Sequence, residues 1–187
     1  MRILEEISTD MAVGDLEERD IDHLIPIFRK WVQHDGQVIE SEVSQIVAML
    51  RSDLGGANEK IYLVARDGRD IALGVMGCGD VTPRMAGYRS APSVRAAGLV
   101  AAFVSADYRG KGLGKSLLLA LFERAGRKGW SEMIWSSNPR YRETAWKFYT
   151  DIAGEPVGMI ADFFGPGSMS PVWRKPLQAV VPGRNEK

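Results

Sequence analysis

The chain has little sulfur chemistry and little histidine. One cysteine, Cys78, and two histidines, His23 and His34, stand among its 187 residues. A lone cysteine cannot close an internal disulfide, and such scarcity fits a reducing compartment. Neither histidine is near Cys78 in sequence, so it reads as a small core residue rather than a nucleophile. Net charge is missing as well: 24 Lys and Arg balance 24 Asp and Glu. No global field then draws the chain to nucleic acid or to an anionic membrane. Long hydrophobic runs are also lacking, since stretches such as Leu117 to Phe122 are far too short to span a bilayer. The opening stretch MRILEEISTD has no apolar core of an export signal, and a cytoplasmic protein is expected. No repeat or low-complexity tract divides the chain. The expectation is a single domain over residues 1–187, with a loose tail from Gln178 to Lys187.

Hydrophobic spacing supplies the elements. Val13 to Glu17 reads as a short first strand. Glu18 to His34 carries Ile21, Leu24, Ile25, Phe28, Trp31 and Val32 at helical spacing, with Pro26 expected to kink it or mark its start. Ser41 to Leu50 is a second helix with Ser41 as N-cap, ended by Gly55-Gly56. Ile61–Ala65 and Ile71–Met76 flank Asp67-Gly68 and read as a hairpin. Thr82 to Val94, rich in Gly, Pro, Ser and Arg, is a long loop. A strand over Gly98–Val104 and a helix over Leu113–Arg127 follow. Then come a strand over Glu132–Ser136, a helix over Thr144–Tyr149, and strands over Glu155–Phe164 and Pro171–Lys175. This order is α/β with a mixed sheet.

Between Val104 and Leu113 a strand hands over to a helix through Arg109-Gly110-Lys111-Gly112. Amides at a helix start are unpaired and sit at the positive end of the dipole. Glycines let that backbone curl, and they let a phosphate approach without interference from Cβ. Two familiar phosphate motifs fail here. The dinucleotide fingerprint G-x-G-x-x-G begins at Gly112 and Gly114 but meets Leu117 where its third glycine belongs. A P-loop ending in Gly114-Lys115-Ser116 would need its first glycine where Arg109 stands. A plain connector with solvated cations is the bland alternative.

Arg109-Gly110-Lys111-Gly112-Leu113-Gly114 resembles the [RQ]-x-x-G-x-[GA] pyrophosphate loop of the GNAT superfamily of N-acyltransferases. Leu99 to Ala106 looks like that family's fourth strand, and Ala145-Trp146-Lys147-Phe148-Tyr149 looks like its A-x-x-[LF]-Y segment. The good match covers roughly Gly98 to Val157, while earlier residues agree only in element order. The resemblance implies a mostly antiparallel central sheet flanked by helices, with fourth and fifth strands splayed around acyl-CoA. It implies that amides of Gly110, Lys111, Gly112, Leu113, Gly114 and Lys115, with Arg109, hold the pyrophosphate. The backbone at Phe103 and Val104 would pair with pantetheine as an added strand does. The implied reaction is attack of a neutral amine on the thioester of acetyl-CoA, with Tyr149 protonating the leaving thiolate. No metal is implied. The implied partners are acetyl-CoA and an amine, on a small molecule or a protein, and a homodimer is left open.

Two departures from the family pattern stand out. Relatives often carry a Glu on the fourth strand, but Ser93 to Ala106 holds no carboxylate. Asp80, Asp162, Glu40, Glu42, His23 and His34 are alternatives for the base, as is a water chain, and none is assigned. An Asn is often found three residues before the segment's Ala, where this chain has Arg142; Asn138 is the substitute for a CoA contact. Arg140, Arg142 and Lys147 suit nucleotide phosphates or solvent. Arg84, Arg89 and Arg95 suit an acidic acceptor or a mobile charged loop. Trp130, Trp135, Trp146 and Trp173 read as core. The missing strand carboxylate keeps a second function open, a non-catalytic acyl-CoA sensor or scaffold on the same fold.

Overall fold

The computed structural model describes residues 11–54 and 59–178, so the tail beyond 178 and the Gly55-Gly56 helix stop lie outside the described residues. Strand β1 (Ala12–Asp15) leads into helix α1 (Glu18–Trp31), which runs through Pro26 and buries Ile21, Leu24 and Phe28. The helix ends before the expected His34. Gln33–His34 (β2) and Gln37–Val38 (β3) instead pair as a small hairpin around Asp35-Gly36. Both turn residues have positive φ, 48° and 76°, as a two-residue hairpin turn requires. Apolar spacing through Val32 masked that Asp-Gly signal.

Helix α2 spans Glu40–Leu54. Ser41 therefore lies inside it and is not its N-cap. The amides of Glu42 and Val43 donate to the Ile39 carbonyl, so the helix starts from Ile39. Strands β4 (Ile61–Arg66) and β5 (Ala72–Asp80) form the expected hairpin; every residue of β4 is buried, and of β5 only Asp80 is exposed. Strand β6 (Ala96–Val104), helix α3 (Leu113–Arg127), strand β7 (Glu132–Ser136) and helix α4 (Lys147–Ala153) follow, and strands β8 (Gly158–Ala161) and β9 (Met169–Pro176) complete the order. Helix α4 starts three residues later than expected because a π-helical turn occupies Arg142–Trp146.

The main sheet has seven strands in the order β1-β4-β5-β6-β7-β9-β8. It is mostly antiparallel and flanked by helices, as the resemblance implies. Its fourth and fifth strands in chain order are β6 and β7, a parallel pair. Their register covers Ala96↔Glu132, Ala97↔Met133 and Gly98↔Ile134, although β6 runs on to Val104. Beyond Gly98 no further pairing of β6 with β7 is registered among the described residues.

The fold divides into two compact units. One holds the chain to Cys78 together with Val100–Leu121; the other holds Gly79–Leu99 and the chain from Phe122 onward. In the first, Leu16, Ile21, Leu24, Phe28, Val43, Leu50, Val64 and Val75 form the core. A buried ion pair ties α1 to β4 there. Arg66 donates from Nε to Asp20 Oδ1 at 2.8 Å and from Nη2 to Asp20 Oδ2 at 2.5 Å. Asp20 also accepts the Glu17 amide at 2.7 Å, closing the helix start.

In the second unit, Trp130, Trp135 and Trp173 are buried as expected, while Trp146 is only partly so. The segment expected as a long loop contains a 3₁₀ turn, Ala86–Tyr88, and its arginines are engaged. Arg84 donates to the carbonyls of Ala161 and Asp162, at 2.8 and 3.0 Å. The Tyr88 hydroxyl donates to the Met159 carbonyl at 2.6 Å. Gly158 makes room for that ring, since a Cβ there would meet it at 2.7 Å. Arg89 donates to the Ala86 carbonyl, and Arg95 donates to the Lys128 carbonyl while stacking on Trp130. The buried Glu132 carboxylate accepts both the amide and the hydroxyl of Ser90.

Candidate functional site

Chemistry gathers in two places, one in each unit. In the first, β6 ends at Val104, a 3₁₀ turn follows over Ala106–Tyr108, and the glycine turn begins. Gly110 and Gly112 have φ of 71° and 83°, the left-handed region that glycine enters freely. A Cβ at either would meet nothing within 4 Å, so the turn lies open on the side where side chains would stand. Gly114 is already the second residue of α3. The Ser116 amide returns to the Gly112 carbonyl at 2.9 Å and closes the first helical turn. The amides of Leu113, Gly114 and Lys115 therefore precede the helical ladder, at the positive end of a 15-residue helix. The Lys111 amide turns back on the Tyr108 carbonyl at a long 3.3 Å.

The cations of this turn rest on aromatic faces. The Arg109 guanidinium carbon lies 4.2 Å from the centroid of the Trp31 ring, and Lys111 Nζ lies 5.2 Å from that of Tyr108. No carboxylate among the described residues ion-pairs with either of them. Trp31 also donates its indole N–H to the Val104 carbonyl at 2.7 Å. That carbonyl, expected to pair with pantetheine, thus already accepts one bond. The Phe103 ring packs edge-on against Phe28 with centroids 5.0 Å apart. Unpaired amides, open glycines and carboxylate-free cations are together suited to a diphosphate.

In the second unit, the first turn of α4 carries Tyr149 into an aromatic cluster. Its ring lies 5.7 Å from Trp135 on β7 and 5.3 Å from Trp173 on β9. Tyr149 is buried, and desolvation holds its phenol well above the usual tyrosine range, with Tyr141 adding to the effect. The phenol therefore keeps its proton at neutral pH. The indole nitrogens of Trp135 and Trp146 are buried without hydrogen-bond partners among the described residues.

The remaining candidates scatter. Asn138 uses its side-chain oxygen to cap the Arg140 amide at 3.1 Å. Lys147 pairs with Asp151, while Arg140 and Arg142 stack on Tyr141 and Trp146. Asp80 accepts the indole N–H of Trp130, Asp162 accepts the Gly167 amide, and Glu40 pairs with Arg29. His34 faces Asp35, both highly exposed, and His23 is exposed on α1. None of these is a buried base. Among the described residues no three metal-ligating side chains gather. Sequence reasoning missed Trp31 and Glu132 as partners. A carboxylate beginning an apolar strand was a readable signal for Glu132. Nothing local marks Trp31, whose loop contacts at Val104 and Arg109 lie more than 70 residues away.

The model of the acetyltransferase (GNAT) family matches residues 22–161. No curated protein sequence matches the chain. Among solved structures, a GCN5-related N-acetyltransferase from Kribbella flavida superposes with a TM-score of 0.63 at 21% identity, over 90% of this chain and 98% of that one. yncA from Salmonella typhimurium, solved with its cofactor acetyl-CoA, gives 0.65 at 16% identity over 94% and 99%. An aminoglycoside 6'-N-acetyltransferase complexed with coenzyme A gives 0.61 at 14% identity over 88% and 96%. The strand order and short β6–β7 ladder agree with a family match spanning most of the sequence, and the chain belongs to the GNAT acetyltransferase family.

Proposed function

We propose that the protein transfers the acetyl group of acetyl-CoA to a primary amine by direct attack within a ternary complex. The observation that carries this reading is the open left-handed turn at Gly110 and Gly112, set before three unladdered amides and flanked by Arg109 and Lys111. The turn binds the diphosphate of CoA. CoA-bound structures of the same fold support the choice of ligand. The neutral amine attacks the thioester carbonyl and a C–N bond forms. The tetrahedral intermediate then collapses, the C–S bond breaks, and CoA leaves as a thiolate. Tyr149 gives that sulfur its proton, the amine nitrogen loses one to water, and water returns a proton to the phenolate.

Burial makes Tyr149 a weaker acid than a free phenol. A thiolate formed in the same apolar surroundings is destabilised for the same reason, so the two proton affinities rise together. The indole N–H groups that Trp135 and Trp146 leave unpaired put hydrogen-bond donors in this aromatic cluster.

Thermal melts with CoA test the reading. CoA at a hundred times its Kd should stabilise the fold by about 2.7 kcal/mol, raising Tm by roughly 5–10 °C. ATP and NAD should do much less. Equal stabilisation by ATP would discard the CoA site. CoA release over a panel of amines then separates an enzyme from a silent binder.

A further inference from the structure

We infer that Trp31 is the positioning residue of the cofactor loop, acting through Arg109; this rests on the acyl-CoA reading above. Trp31 is the last residue of α1, far in sequence from the loop it touches. Its indole grips the loop at both ends. The N–H donates to the Val104 carbonyl at 2.7 Å, where β6 stops, and the ring face carries the Arg109 guanidinium at 4.2 Å, where the glycine turn starts. The four residues between are held by short turns, with the Tyr108 amide on the Ser105 carbonyl and the Arg109 amide on the Ala106 carbonyl. The Ser105 amide anchors the segment to the Leu73 carbonyl of β5 at 2.8 Å.

Stacking uses the face of a guanidinium and leaves its N–H donors free along the edge. Arg109 is exposed and has no carboxylate partner among the described residues, so nothing there competes with a phosphate for those donors. An unsupported arginine would lose rotamer freedom on binding phosphate. On Trp31 that ordering is already done. The ring thus raises affinity for the diphosphate without touching it.

The test is CoA binding by calorimetry on wild type, Trp31→Leu, Trp31→Phe, Arg109→Ala and the Trp31→Leu/Arg109→Ala pair. Trp31→Leu should raise the Kd about two- to fivefold, the range a stacked cation commands. In the Arg109→Ala background the same change should matter less than about 1.5-fold, because the two side chains act as one device. Trp31→Phe keeps a smaller ring face and loses the N–H, so it should recover much of the affinity that Trp31→Leu loses while melting lower than wild type. This variant also keeps the test alive if Trp31→Leu does not fold. Additive losses, an unchanged Kd in Trp31→Leu, or a Phe variant as weak as Arg109→Ala would overturn the inference while CoA still binds wild type. If wild type binds no CoA, the acyl-CoA reading itself falls, and the inference with it.

Discussion

Tyr149 has two measurable consequences. On the proposed mechanism, loss of the hydroxyl in Tyr149→Phe should slow single-turnover acetyl transfer roughly 10- to 1,000-fold. Acetyl-CoA affinity should barely change, because the hydroxyl acts as the C–S bond breaks. Turnover at the wild-type rate would make Tyr149 a packing residue. The same burial also shapes alkaline stability. A phenol whose folded pKa is raised contributes stability that is whole below the unfolded pKa, about 10, and that drains away as pH climbs toward the folded value. Tyr62 behaves alike, raised first by desolvation and then by its hydrogen bond to Asp53. Above pH ~10 each group costs about 1.4 kcal/mol per pH unit. Denaturant melts at high pH should therefore fall less steeply for Tyr149→Phe than for wild type, with the Tyr62 share of the slope remaining. Gly112 is a separate case. Gly112→Val puts a branched side chain at φ 83° and into the cradle, so the folded variant should lose CoA affinity at least tenfold. Calorimetry showing no loss would leave the turn a mere connector.

At the scale of elements, α1 holds together much of the first unit. Its N-terminal end is tied to β4 by Asp20 and Arg66, its middle packs Phe28 on Phe103 of β6, and its last residue grips the loop. Asp20→Ala strands a buried guanidinium and also frees the Glu17 amide. Glu17 and Asp70 lie 3.7 and 3.8 Å from Arg66 and soften the loss. The expected cost in urea melts is about 3 kcal/mol, the lower end for breaking a buried pair. Replacing both partners by apolar residues should recover most of it. A cost below about 1 kcal/mol for Asp20→Ala would show that the neighbours suffice.

Across the whole molecule, legibility followed the range of the interactions. Helix α3 and strand β7 begin and end where their apolar pattern does, and the glycine turn was readable because few other residues accept its φ. The β2–β3 hairpin was hidden because Val32 continues a helical stripe past the real helix end. Ser41 looked like a cap because local chemistry alone does not say which turn comes first. Arg84, in the loop before β6, looked mobile because its acceptors, the carbonyls of Ala161 and Asp162, are nearly 80 residues away. The pairing of Trp31 with Arg109 was out of reach for the same reason.

Those loop contacts have one more consequence. Strand β8 is last in the sheet, and a terminal strand normally offers its outward backbone groups to any extended chain that drifts past. Here the carbonyls of Met159 and Ala161, alternate along the strand, are already taken by the Tyr88 hydroxyl and the Arg84 guanidinium. An incoming strand would have to break those bonds before it could dock. The exposed methionines nearby, Met159 and Met169, are sticky in composition, but the backbone template beneath them is locked. A side-chain latch of this kind opposes growth of the sheet into fibrils or strand-swapped chains at this end.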